Sequence, residues 1–264
     1  MQNYELLCAQ VVEVAKNVGL FIKAEALIFN ASKIEYKGLN DMVSYVDKSA
    51  EAQIITELSK ILPQAGFIAE EGTSDKIGET YNWIIDPLDG TTNFIHGIPT
   101  YAVSIALKEN DELVVGVIYE INLDECFYAW KGSDAFLNGK KIQVSETPDL
   151  KSSLVATGFP YYDFKRQTAY INLFNDVMQK CHGLRRIGAA SVDLAYTACG
   201  RFDAYFEYNL KPWDIAAGLL IVKQAGGHCF DFDGGNNPLT TCDVVVTNAK
   251  FSTELNDIIK YHFK

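Results

Sequence analysis

The chain has 264 residues, 48% of them hydrophobic and 22% charged, which places it among globular proteins and excludes a disordered or fibrous one. Its 23 basic and 34 acidic residues leave a formal charge of −11, the wrong sign for direct nucleic-acid binding and a mild pointer to carboxylates that hold cations. Cys8, Cys126, Cys181, Cys199, Cys229 and Cys242 form no CxxC pair, so neither a zinc site nor a redox motif is spelled out, and a reducing cytoplasm is the expected setting.

Residues 5 to 27 place Leu7, Val11, Val14, Val18, Phe21 and Ile22 at helical spacing. With Glu5 and Glu13 inside that pattern, the segment is neither a secretion signal nor a membrane span. A second helix is predicted from about Lys48 to Leu62, halted by Pro63 and Gly66. Phe67-Ile68-Ala69 and Trp83-Ile84-Ile85 read as short buried strands. From Tyr101 to about Val144 the chain runs in β-formers separated by the turns END, NLD and LNGKK, a mostly antiparallel meander. The rhythm then changes. SSLVATGF is a strand, 165 to 181 a helix, and AASVDLAYTACG a helix ended by Gly200. RFDAYFEY is a strand, PWDIAAGLLIVKQAGG a helix opened by Pro212, and DVVVTN a buried strand before a final helix. With no repeat and no linker, we expect one α/β domain over 1–264, with an α+β half (about 1–145) and an α/β half (about 146–264).

In NWIIDPLDGTTNF an apolar strand delivers the chain to Asp86, Pro87 breaks it, and Asp89, Gly90 and a hydroxyl-rich turn follow. Asp86 can be a strand terminator and Asp89 a turn residue. The alternative is a site: Gly90 lets the backbone approach a ligand, and Thr91, Thr92 and Asn93 open a helix that favours an anion. Acids beside an anion-binding turn make chemical sense with a cation between them, and hard oxygen donors point to Mg²⁺. Aspartyl-phosphate phosphatases use D-x-D-x-T, and the D-x-x-D spacing here departs from it. Glu70-Glu71 is either a solvated pair or, since it too follows an apolar strand, an acid at the same sheet rim. Asp47 is a helix N-cap or a site residue, and Asp214 in KPWDIAAG a helix-start acid or a ligand. His96 reads as a packing or solvent-facing residue, and Lys211 as exposed.

With WIIDPLDGTTNF, AEEG and KPWDIAAG in this order, the sequence resembles the inositol monophosphatase family. The resemblance runs from MVSYVDKSAE through LNGKKIQVSE and GFP to PWDIAAGLLIVKQAGG, nearly the whole chain. It implies a layered α-β-α-β-α fold, Mg²⁺-dependent hydrolysis of phosphate monoesters, a homodimer and, often, inhibition by lithium. It also assigns residues. Glu70, Asp86 and Asp89, with the carbonyl of Leu88, would hold the principal Mg²⁺ ions, Asp214 would complete a second site, and Asp47 would lie at the outermost metal position. Thr91 would orient the attacking water with Glu70 as base, and Gly90, Thr91 and Thr92 would cradle the phosphate. Gly188, Ala190, Glu207 and Asp214 would contact the substrate, Glu207 through the substrate's hydroxyls, although Glu207 also reads as a strand-end acid.

Monoester hydrolysis can require up to about 28 kcal/mol of barrier reduction, if the rate enhancement approaches ~10²¹. No Ser–His or Cys–His pairing is evident to supply a covalent route, so direct attack by metal-activated water is expected. Nucleotide 3′-phosphatases of this superfamily tend to place a lysine after D-G-T, where this chain has Thr92-Asn93-Phe94, which favours an inositol phosphate. Fructose 1,6-bisphosphate, histidinol phosphate and 3′-phosphoadenosine 5′-phosphate remain alternatives. So does a role as protein partner of the transcription machinery, to which Arg185-Arg186, the tight basic pair near the motifs, adds little.

Overall fold

A computed structural model describes residues 2–29, 34–38, 41–159 and 164–263, so Pro160 of the GFP motif lies outside the described residues. The chain opens with α1 (Tyr4–Ala26), capped by the Asn3 side chain, and a short antiparallel pair, β1 (Ile34–Gly38) and β2 (Asp41–Ser44). Next come α2 (Tyr45–Ile61), β3 (Gly66–Ala69), β4 (Tyr81–Asp89) and the short α3 (Thr91–Ile95). The meander follows as β5 (Ala102–Glu109), β6 (Glu112–Glu120), β7 (Glu125–Trp130), β8 (Ala135–Leu137) and β9 (Lys140–Ile142). Then come β10 (Leu154–Thr157), α4 (Gln167–Lys180), β11 (Gly183–Arg185), α5 (Ala190–Ala198) and β12 (Ala204–Glu207). The chain continues through α6 (Pro212–Gln224), β13 (His228–Phe230), α7 (Pro238–Thr241), β14 (Val244–Thr247) and α8 (Ser252–His262).

Two larger sheets organise these elements. One has seven strands in sequential order from β3 to β9, and the other five in the order β11-β10-β12-β14-β13. Alternation along each strand feeds two cores at once. Trp83 and Ile85 of β4 face α1 and α2, packing with Val11, Val18, Ile54 and Leu58. Ile84, between them, faces the other way and joins Val192, Leu194 and Ile221 of α5 and α6. Those two helices also pack on Tyr205, Val244 and Val246 of the five-stranded sheet, whose far side (Val155, Phe206, Val245) is covered by α4 and α8. The result is the expected α-β-α-β-α layering. It also explains the all-round apolar run IAAGLLIV in α6, because a helix between two sheets has no solvent face.

The structure differs from the sequence reading in several places. α2 begins at Tyr45 rather than near Lys48, because Ser44 takes the N-cap: its hydroxyl accepts the Val46 N–H at 3.1 Å. Asp47, expected at the cap itself, is the third helical residue and closes a capping box by accepting the Ser44 N–H at 2.9 Å. β4 does not stop at Pro87. It runs on to Asp89 through a bulge in which Asp86 pairs with Ser104 and Asp89 with Ala102, so three steps on β4 match two on β5. Proline, lacking an N–H, is tolerated in a strand at such a place. LNGKK is the tip of the β8–β9 hairpin, with Asn138 (φ 47°) and Gly139 (φ 79°) both left-handed. The strand read over RFDAYFEY narrows to β12. β11, β13 and α7 had no prediction, being only three or four residues long.

Candidate active site

Three strand or helix ends meet at one edge of the seven-stranded sheet. β3 runs parallel to β4 with Ala69 beside Ile85, and the Glu70 N–H donates to the Ile85 carbonyl at 3.2 Å, which sets Glu70 alongside Asp86. Ser104, opposite Asp86 on β5, donates through its hydroxyl to the Trp213 carbonyl at 3.3 Å. That bond docks the first turn of α6, and with it Asp214, against the same edge. Asp89 reaches across to the second half: its Oδ2 accepts the Ser191 N–H at 2.7 Å and the Ser191 hydroxyl at 2.5 Å, at the start of α5.

Each acid is also held by its own backbone. Asp86 Oδ1 accepts the Leu88 N–H at 3.0 Å, and Asp214 Oδ2 accepts the Lys211 N–H at 2.7 Å. Asp86 and Asp89 are buried, while Asp214 and Glu70 are half-buried. Burial pushes the Asp86 carboxyl well above the ordinary range, and the charges of Glu70, Asp89 and Asp214 push it further. Asp214 is raised to about 8 by burial and by Asp89. Asp89 rises only to about 6, because the hydrogen bonds from Ser191 and Ala190 and the charge of Arg186 oppose its burial.

Among the described residues no three acidic, histidine or cysteine side chains have closed into a metal cage. The acids instead stand within reach of one another's charge. Their donor set is all oxygen, four carboxylates and the buried Leu88 carbonyl, which suits a hard divalent ion such as Mg²⁺. Desolvation plus mutual repulsion is the strain that such an ion relieves. The residues present fit the metal.

Beside these acids, the Thr91 hydroxyl lies 2.9 Å from both Asp47 Oδ1 and the Leu88 carbonyl. One hydroxyl proton cannot serve two acceptors at full strength, so its orientation is shared between them. Asp47 Oδ2 is meanwhile fixed by the Ser44 hydroxyl at 2.6 Å. Gly90 turns β4 into α3 with φ 89°, and a Cβ there would come within 3.0 Å of the Thr100 carbonyl. Thr91 and Thr92 form the first turn of α3. His96 ends that helix and is exposed.

The remaining predicted residues, Gly188, Ala190 and Glu207, lie in the second half of the chain. Gly188 lies against the Asn93 amide and the Arg186 guanidinium, and Ala190 begins α5. Glu207, at the end of β12, is buried over Gly158, and the Tyr205 hydroxyl donates to its Oε2 at 2.6 Å. Burial raises Glu207 to about 7, while the Tyr205 bond and the charge of Arg186 hold it down. Lys211, read as exposed, is half-buried at the α6 N-cap, and its charge steadies Asp214.

Three contributors, Ser191, Asp193 and Glu51, had no sequence signal of their own, and a fourth, Asn93, was read only as part of the turn after Gly90. Ser191 anchors Asp89. Asn93 ties the two halves together by donating to the Thr100 carbonyl at 2.8 Å and the Ile187 carbonyl at 2.9 Å. Asp193 is buried on α5 with Oδ1 unpartnered, and Glu207 and Asp89 raise it further above its burial-shifted range. Glu51 is buried on α2 beneath the Glu70 loop. The i, i+3 spacing of S-x-x-D at Ser44 was the one readable hint at how Asp47 is held.

Comparison with known proteins agrees with this geometry. The model of the inositol monophosphatase family matches residues 3–261. The chain is 41% identical over 258 residues to the Escherichia coli protein named Nus factor SuhB, covering 94% of this chain and 97% of that one. It is 41% identical over 229 residues to the Rhizobium meliloti inositol-1-monophosphatase, covering 86% of each. The solved structure of inositol monophosphatase from Anabaena superposes with a TM-score of 0.87 at 32% identity, over 98% of this chain and 97% of that one.

Proposed function

Since the chain belongs to the inositol monophosphatase family, we propose that it is a Mg²⁺-dependent phosphate monoester hydrolase acting on a small phosphorylated polyol, inositol 1-phosphate foremost. The observation that carries this reading is the convergence of Glu70, Asp86, Asp89 and Asp214, from three separate chain segments, beside the Thr91–Asp47 pair. Those carboxylates and the Leu88 carbonyl would hold Mg²⁺, which when bound would supply an acidified water and charge neutralisation at the leaving oxygen.

The protein's own groups do the rest. Asp47 draws the Thr91 hydroxyl proton toward itself, which turns a Thr91 lone pair outward to accept an O–H of the attacking water. Glu70, on the adjacent strand end, takes the proton of that water. The Gly90–Thr92 turn receives the phosphate oxygens, and Gly188 and Ala190 leave room for the rest of the molecule. Glu207, steadied by Tyr205, accepts hydrogen bonds from substrate hydroxyls. Loss of that anchor predicts a split: Tyr205→Phe should raise KM for inositol 1-phosphate about 5–10-fold, the worth of a roughly 1–1.4 kcal/mol hydrogen bond, and leave p-nitrophenyl phosphate unaffected. Equal losses on both esters would remove Glu207 from substrate recognition.

The primary test is phosphate release from inositol 1-phosphate, fructose 1,6-bisphosphate, histidinol phosphate and 3′-phosphoadenosine 5′-phosphate, with Mg²⁺ and with chelator. Release from the inositol ester that chelator abolishes is expected. Preference for another ester moves the substrate and keeps the chemistry, and no release from any of them removes the assignment. A second reading has its own support in the name Nus factor carried by the Escherichia coli relative: a protein-partner role in transcription. The catalytically silent Asp89→Asn variant separates the two, since a partner role would survive it. Assembly as a homodimer and inhibition by lithium complete the proposal, checked by light scattering and by turnover in LiCl. Among the described residues no helix is long and apolar enough to cross a membrane.

A further inference from the structure

Glu51 is a charged side chain in the second turn of α2, wholly buried, and outside the set of residues that would touch metal or substrate. Its two oxygens are both engaged by the loop that follows β3. Oε2 accepts the Glu71 N–H at 2.7 Å and Oε1 accepts the Thr73 N–H at 2.8 Å. Between those two amides sits Gly72, left-handed at φ 67° with nothing within 4 Å of where a Cβ would stand. A left-handed residue between two others turns alternate N–H groups toward one point and makes a concave anion seat of backbone. Here the anion is built in.

The loop so held carries Glu70. On one side its own N–H is fixed to Ile85 of β4, and on the other the next peptide N–H is fixed to Glu51. The Glu70 backbone is therefore pinned at both flanks, once to the strand that bears Asp86 and once to α2. That same helix bears Asp47 at its third residue, so α2 fixes Asp47 and Glu70 together. We infer that Glu51 is a positioning residue: seated in the backbone cradle of residues 71–73, it holds Glu70 at the distance from Asp86 that lets both share a divalent ion. This rests on the metal-centre reading above.

A carboxylate is the right group because both amides need an acceptor. A glutamine at this position offers one carbonyl and turns an NH₂ toward the other N–H. Supporting residues of this kind are typically worth about 10–100-fold in metal affinity. The test is Mg²⁺ binding by calorimetry to the purified, metal-free full chain, with thermal melting of the same samples. Glu51→Gln is expected to weaken Mg²⁺ binding by about 10–100-fold. Gly72→Ala, which strains the cradle from the loop side, is expected to weaken it in the same direction. Glu57→Gln, on the exposed face of the same helix, is expected to leave it unchanged.

Wild-type affinity in Glu51→Gln, or a fall in melting temperature with no fall in affinity, would make Glu51 a purely structural residue and overturn the inference. Should Glu51→Gln fail to fold, Gly72→Ala carries the decision alone, and unaltered Mg²⁺ binding in that variant overturns it equally. Failure of the wild-type protein to bind Mg²⁺ is a different result: it removes the metal centre itself, and Glu51 with it.

Discussion

Replacing Asp89 with asparagine is expected to lower turnover of inositol 1-phosphate by at least about 10³-fold, because the metal's several kcal/mol of charge stabilisation needs this carboxylate and each 1.36 kcal/mol is a factor of ten. The fold should persist. The substituted amide keeps a carbonyl oxygen for the Ser191 N–H and hydroxyl, so the contact that joins β4 to α5 is retained. What disappears is one of several buried, mutually repelling charges. The metal-free variant should accordingly melt no lower than the metal-free wild type at pH 8. Turnover within tenfold of wild type would remove Asp89 from the metal site; a large drop in melting temperature would show its main task to be joining the halves.

The second large effect is on the pH dependence of stability without metal. Asp89, Glu207 and Asp214 have folded values near 6, 7 and 8, raised chiefly by burial, against about 4 in an unfolded chain. Between pH 4 and 8 the folded protein binds more protons than the unfolded one, so its stability falls as pH rises through that window. Mg²⁺ bound at the proposed centre would replace the protons of Asp89 and Asp214 but not that of Glu207, which lies outside the metal-holding set. At a hundredfold excess over its Kd it should add about 2.7 kcal/mol, or about 5–10 °C for a chain of this size, at pH 8. Near pH 5.5 protons compete and the gain should shrink. Melting curves with and without Mg²⁺ at the two pH values check this, and a gain independent of pH would mean the ion binds elsewhere.

How much of this was readable from the sequence alone depends on the range of the interactions. Trp83-Ile84-Ile85, the meander and the apolar α6 announce themselves because hydrophobic period is local, and the layers follow from two faces per sheet. The acids at strand and helix ends were legible as a set, and the structure brings Glu70, Asp86, Asp89 and Asp214 to one edge. Their supports were not. Ser191 meets Asp89 across 102 residues, and Asn93 meets Ile187 across 94. Ser191 and Ile187 have no pattern that singles them out in the sequence, so the contacts that hold Asp89 and Asn93 could not be read from it. Glu51 lies 20 residues from the loop it holds and reads as one more polar helix position. Long-range polar contacts are encoded by the fold rather than by spacing.

The Pro87–Leu88 bulge bears on how the motif itself should be counted. Along an unbroken strand, odd separations put two side chains on opposite faces, so D-x-x-D should send its acids apart, one into each core. The bulge absorbs one residue, since Asp86 and Asp89 stand opposite Ser104 and Ala102, only two apart on β5. An odd interval on one strand thus acts as an even one in the sheet. Both acids can then serve a single centre, and within the bulge the Leu88 carbonyl accepts the Thr91 hydroxyl at 2.9 Å. The motif obeys the parity of its neighbour, not its own.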